Sequence, residues 1–114
     1  MEEFKEAIKK LDNVFSKLIR KAKYCKRCAS MAGVEPAHIF VRKNLSVRWN
    51  EDNVLPLCHR CHLWAHRRQK EFKEWVKKLY GEVKWNALEL RANTIKKWTV
   101  DELKELYIFL NEKL

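Results

Sequence analysis

The sequence predicts an α+β fold, mostly helical, in which a small core is stapled by a four-cysteine zinc site. Three observations lead there. Apolar residues recur at helical spacing in the first quarter of the chain and again after residue 69. Between these stretches lie two short β-like runs, and two Cys-x-x-Cys pairs bracket that middle segment.

Taking the elements in order, Phe4, Ile8, Leu11, Phe15 and Leu18 recur every three or four residues with charges between them. Residues 2–23 therefore read as one amphipathic helix with a core-packing face. Its basic end, Arg20, Lys21 and Lys23, suits a helix C-terminus, where the backbone dipole favours cations. The chain then enters the first cysteine pair, Cys25 and Cys28. Residues 35–41 are β-branched and aromatic toward their end and read as a strand, with residues 53–58 as its partner. Pro56 restricts that second strand to an edge or a bulge, because proline cannot donate to a ladder. The intervening residues 42–52 are polar and basic and read as a loop.

After His66 the pattern turns helical. Phe72, Trp75, Val76 and Tyr80 form one stripe, Gly81 is a helix stop, and Trp85, Leu88, Ala92 and Ile95 form a second stripe. Thr99 followed by Glu102 fits a capping box that opens a last helix with Leu103, Leu106, Leu110 and Leu114 on one side. Trp75, Trp85 and Trp98 lie on or beside stripes and are expected in the core. Trp49, in the polar loop, is the expected base-stacking tryptophan. No repeat or low-complexity linker interrupts the 114 residues, so one domain is expected: an N-terminal helix (1–24), a metal-bound core (25–68) and a C-terminal helical extension (69–114).

Charge narrows the function classes. The chain carries 25 Lys and Arg against 15 Asp and Glu, a formal net charge of +10, and four zinc-bound thiolates would reduce this only to about +8. Residues 25–68 hold eight basic and three acidic side chains, so the cysteine-bearing segment is distinctly electropositive. With no lipidation motif and no long apolar run, the expected partner is nucleic acid and not membrane. The first residues form neither a secretory signal nor a span, so a cytoplasmic location is expected. In a reducing compartment Cys25, Cys28, Cys58 and Cys61 are expected to hold one structural Zn²⁺ instead of forming disulfides. Just beyond Cys61, His62 and His66 stand four residues apart, one helical turn, where a second metal could sit.

The first cysteine pair, then Glu35 to Ile39, then Asn53 to His62 with the second pair, resembles the HNH (His-Me finger, ββα-metal) endonucleases that carry a four-cysteine zinc site, especially phage-encoded HNH proteins and phage recombination endonucleases. The resemblance covers residues 25 to about 68 and implies a ββα-metal core, hydrolysis of DNA phosphodiester bonds and a virus-encoded protein acting in the host cell. It implies His38 as general base at the end of the first strand, Asn53 as the residue that fixes the long loop, and His62 as a ligand of the catalytic metal. His66 is a ligand only in some branches. Many members carry Asp or His just before the base, where this chain has Ala37.

The chemistry is coherent by itself. A neutral imidazole accepts a proton from water near neutral pH, while one divalent cation polarises the phosphate. Mg²⁺ keeps much of its hydration and needs few protein ligands. Glu35 shares a strand face with Ala37 by period-two alternation and is the expected substitute ligand. Arg42 and Arg48 are expected on the phosphate backbone, with Lys43, Arg60, Arg67 and Arg68 as further contacts. Two other readings compete. Cys58 to His62 matches the haem-attachment motif, but that leaves Cys25 and Cys28 without a role. A non-catalytic zinc module that binds nucleic acid, with the second metal site decayed, is the stronger alternative, and Ala37 is its best support.

Overall fold

A computed structural model describes residues 1–114. Five helices and a two-stranded sheet follow one another as α1 (Glu2–Ile19), β1 (Glu35–His38), a 3-10 turn (Glu51–Asn53), β2 (Val54–Leu57), α2 (His59–Arg67), α3 (Gln69–Tyr80), α4 (Glu82–Ala92) and α5 (Val100–Glu112). The class is α+β, as the periodicities indicate. The helix expected over 2–23 ends at Ile19, and the strand expected over 35–41 stops at His38.

The strands pair antiparallel, with Glu35 opposite Leu57 and His38 opposite Val54. Pro36 and Pro56 face each other, which a two-stranded sheet tolerates because each strand has a free edge. Ladder alternation sends the two faces to different cores. Ala37, Leu55 and Leu57 join Cys25, Cys61, Ala65, Phe72, Val76, Trp85 and Leu88 beneath α2, α3 and α4. Val54 on the other face joins Leu11, Phe15, Leu103 and Leu110 between α1 and α5. The sheet is thus a thin middle layer, and a side chain at the rim of β1 faces α1 or α2 according to its parity.

Local signals set the helix ends. Gly81 has φ 83°, a left-handed conformation that separates α3 from α4. Both capping-box hydrogen bonds form at α5: Glu102 N–H donates to Thr99 Oγ1 at 3.1 Å, and Thr99 N–H to Glu102 Oε1 at 2.9 Å. The stripe expected to run on to Ile95 stops at Ala92, where α4 ends, and Ile95 is 86% exposed. The C-terminal ends of α1 and α5 meet where Lys21 Nζ donates to the carbonyls of Lys113 and Leu114, both at 3.3 Å.

Candidate functional site

The two cysteine pairs converge. The four Sγ atoms lie within 4.8 Å of one another, with Cys25, Cys58 and Cys61 buried and Cys28 exposed. Cys28 and Cys58 are 3.7 Å apart, much longer than a disulfide, whose S–S bond is about 2.05 Å. Tetrahedral zinc at about 2.3 Å from each sulfur requires sulfur–sulfur edges of about 3.8 Å, so the donor set and spacing fit a structural zinc.

Backbone geometry builds this cradle. Cys25 N–H donates to Ser30 O and Lys26 N–H to Pro56 O, both at 2.9 Å, tying the first knuckle to the outer edge of β2. Ala29 closes the knuckle in the left-handed region, φ 63°. Without metal, burial pushes the Cys61 thiol up to about 12, although the hydrogen bond from Arg27 pulls the other way. At Cys25 burial again raises the pKa, but the N–H groups of Cys58, Cys28 and Arg27 outweigh it and draw the thiol down to about 6. Arg27 lies over the Trp64 ring at 3.7 Å and donates from Nη1 to Cys61 Sγ at 3.4 Å, placing a cation beside the sulfur that most needs it.

A cleft of about 590 Å³ opens along the free edge of β1, between α1 on one side and α2 with α3 on the other. Its lining includes Glu35, His38, Arg42, His62 and His66, so two groups of residues at least 20 apart in sequence come to one place. His38 lies on the α1 face, its ring 6.4 Å from that of Phe15. Its Nε2 is 3.2 Å from Arg48 O. A carbonyl only accepts, so Nε2 carries the hydrogen and Nδ1 keeps the lone pair. Burial, joined by the positive charges of Arg42 and Arg48, holds the His38 pKa below the ordinary imidazole value, so the ring is neutral at neutral pH.

Glu35 lies on the opposite face and reaches α2. Its Oε1 accepts from His62 Nδ1 at 2.7 Å and its Oε2 from His59 Nδ1 at 3.1 Å. These hydrogen bonds, the His62 bond first, hold the carboxyl pKa below its usual range. With Nδ1 bound to the carboxylate, His62 keeps its Nε2 lone pair free, the arrangement by which a carboxylate orients a metal-ligating histidine. The His66 ring is centred 4.8 Å from that of His62. The four cysteines form a cluster whose ligand atoms are all mutually close, whereas His59 and His62 meet Glu35 separately, one on each carboxylate oxygen. Ala37 is 1% exposed and packed in the core, leaving no space there for a carboxylate.

Asn53 is fully buried beneath the long loop. Its Oδ1 accepts from Phe40 N–H at 2.8 Å, and its Nδ2 donates to the carbonyls of Phe40 and Val47, both at 3.2 Å. The loop therefore closes on one amide, and Arg48, whose carbonyl holds His38, directly follows Val47.

Two expectations for this loop are corrected. Trp49 is not an exposed stacking platform: it is 5% exposed, packs edge-on against Trp98 at 5.8 Å and donates from Nε1 to Asp12 at 3.0 Å. Arg48 is not free for phosphate, because Asp12 takes its Nε at 3.1 Å and its Nη2 at 2.7 Å, with the side chain only 17% exposed. Arg42 also pairs with Asp12, at 2.8 Å, but is 60% exposed and lines the cleft. Arg60 lies in a neighbouring groove with Arg20 and His59, while Lys43, Arg67 and Arg68 are exposed outside the cleft. Asp12 and the cleft residues Arg20, Gln69 and Lys73 had no motif to announce them; the one hint was an acid at position 12 on an otherwise basic turn of α1.

A family model described as Bacteriophage Lambda NinG protein matches residues 1–114. The chain belongs to the NinG family. The match takes in α1 and the C-terminal helices as well as the cysteine-bearing core. No curated protein and no solved structure matches the chain significantly. No helix is long and apolar enough to cross a membrane.

Proposed function

We propose that this NinG-family protein is a metal-dependent DNA endonuclease of the HNH type, with a structural zinc in the four-cysteine cradle. The observation that carries the reading is His38: a neutral imidazole whose Nε2–H is held by Arg48 O and whose Nδ1 lone pair is free, in the cleft that also holds the Glu35–His62 pair. His38 Nδ1 accepts the proton of the attacking water as a new P–O bond forms and the bond to the leaving oxygen breaks. Asn53 and Arg48 keep the ring in register. His62, oriented by Glu35 with His66 beside it, would hold a divalent cation such as Mg²⁺, which supplies polarisation of the phosphate and charge stabilisation on the departing oxygen. Arg42 neutralises the substrate's phosphate charge at the rim, and the formal +10 draws DNA toward the cleft from a distance. The site of action that follows is the cytoplasm of a phage-infected cell.

A second reading, a zinc-stabilised nucleic-acid-binding module, is favoured by the buried Ala37, which stands where many HNH members carry a further metal ligand. Incubation with supercoiled and branched DNA separates the two. An endonuclease cuts when Mg²⁺ or Mn²⁺ is added and stops with EDTA, whereas a binding module retards the DNA and leaves it intact at every metal concentration.

A further inference from the structure

We propose that Asp12, on the N-terminal helix, is a positioning residue for the general base: it clamps Arg48 so that the Arg48 carbonyl holds His38 in its reactive orientation. The proposal rests on the endonuclease reading of His38, but the residue and its helix lie outside the segment that carries the HNH resemblance.

The side chain at position 12 accepts four hydrogen bonds from three residues of one loop. Oδ1 takes Arg48 Nε at 3.1 Å and Trp49 Nε1 at 3.0 Å; Oδ2 takes Arg48 Nη2 at 2.7 Å and Arg42 Nη2 at 2.8 Å. The two bonds to Arg48 form a fork that fixes both distance and direction, which a single ammonium cannot reproduce. Both partners of that fork are largely shielded, the Arg48 side chain being 17% and the Asp12 side chain 19% exposed. Trp49 is fixed in the core on the following residue. The Arg48 carbonyl is thus anchored from its own side chain, from Trp49 after it and, through Val47 O, from Asn53 before it. That carbonyl is the only hydrogen-bond partner of the His38 ring. If the clamp opens, Nε2–H loses a fixed acceptor and Nδ1 loses its aim; loss of Asp12 also releases Arg42 at the cleft rim, whereas loss of the Arg48 side chain leaves the Asp12–Arg42 pair in place. Displacements of about 1 Å in a reacting group cost up to about a hundredfold in rate.

The test compares Asp12→Asn, Arg48→Met and the double variant with wild type in single-turnover DNA cleavage at saturating Mg²⁺, above pH 7.5, with KM, zinc content and melting temperature measured alongside. The clamp predicts a fall in kcat of about ten- to a hundredfold in each single variant, with KM within about twofold of wild type in Arg48→Met, which keeps the Asp12–Arg42 pair. It also predicts that the double variant is no slower than the worse single one, because both changes break the same connection. Wild-type kcat in Asp12→Asn, or a raised KM with unchanged kcat in Arg48→Met, overturns it; the second outcome would make Arg48 a substrate contact. Should Asp12→Asn lose its fold, the same kcat criterion falls on Arg48→Met. The general base and its clamp are separable by these variants. Wild-type cleavage by His38→Ala removes the general-base reading itself, whereas an inactive His38→Ala beside a fully active Asp12→Asn removes only the clamp.

Discussion

Replacing Asn53 with alanine deletes a side chain with no solvent exposure, strands the N–H and the carbonyl of Phe40, and takes one of two bonds from the Val47 carbonyl, which keeps Asn50 N–H at 3.1 Å. The Phe40 N–H loses a 2.8 Å bond, and the carbonyls of Phe40 and Val47 each lose a 3.2 Å bond. An unsatisfied buried polar group costs about 1–3 kcal/mol. Part of the loop can open to water, so the expected loss is about 3–5 kcal/mol rather than the full sum. In a domain of this size that lowers the melting temperature by roughly 10–20 °C. Circular dichroism melts on zinc-loaded protein measure it directly, and amide hydrogen exchange should locate the damage at Phe40 and in residues 41–50. Asn53→Asp keeps the Phe40 acceptor but sets a buried carboxylate oxygen against the carbonyls of Phe40 and Val47, and should cost at least as much. A loss below about 1 kcal/mol in Asn53→Ala, with Phe40 still protected, would refute the account of how the loop is closed.

Further outcomes follow from the same coordinates. Cys58→Ser removes one of four thiols that lie within 4.8 Å of one another, so the variant should lose its zinc and unfold well below wild type, since structural metal binding is folding free energy; retention of one zinc per chain with an unchanged melt would exclude the structural role. Ala29 sits at φ 63° in the first knuckle, a conformation that costs an L-residue about 1–2 kcal/mol. After subtracting the larger unfolded-state entropy of glycine, Ala29→Gly should stabilise by about 0.5–1 kcal/mol, read as a higher melting temperature; a lower one would contradict the strain. For pH, burial first and then Arg42 and Arg48 depress the folded pKa of His38. Cleavage should therefore rise with pH to a midpoint below about 6.5 and then level off. The matching stability is complete above the unfolded pKa and is lost as pH falls through the folded one. A midpoint above 7 for kcat/KM would contradict this environment for the base.

Much of the scaffold was legible because its signals are local. The stripe of Leu11 and Phe15 implied α1, and Thr99 with Glu102 gave the start of α5 atom for atom. Paired cysteines are also a local signal, and their convergence needs only that two knuckles meet. The elements around the cleft are different. Asp12 meets Arg42, Arg48 and Trp49 across 30, 36 and 37 residues, and no periodicity encodes that meeting. The same contact reversed the expectation for Trp49, whose polar neighbours suggested solvent although one carboxylate on α1 satisfies its indole N–H inside the core. Ile95 misled in the opposite direction: helical spacing continued past the point where α4 ends, so an apolar residue in register lies in a loop, exposed. Glu35 was readable in part, since alternation put it on the Ala37 face, but its capture of both His59 and His62 depends on the angle at which α2 crosses the sheet.

The most direct test of the central claim is cleavage of supercoiled DNA by His38→Ala and His62→Ala beside wild type, over a Mg²⁺ and Mn²⁺ titration, with zinc content and DNA affinity measured on the same preparations. The account predicts that His38→Ala binds DNA and zinc as wild type does yet fails to cut at any metal concentration. His62→Ala should cut weakly and recover part of its activity as metal is raised. Wild-type cleavage by His38→Ala would contradict the account, because it would leave the held imidazole in the cleft with no part in the reaction.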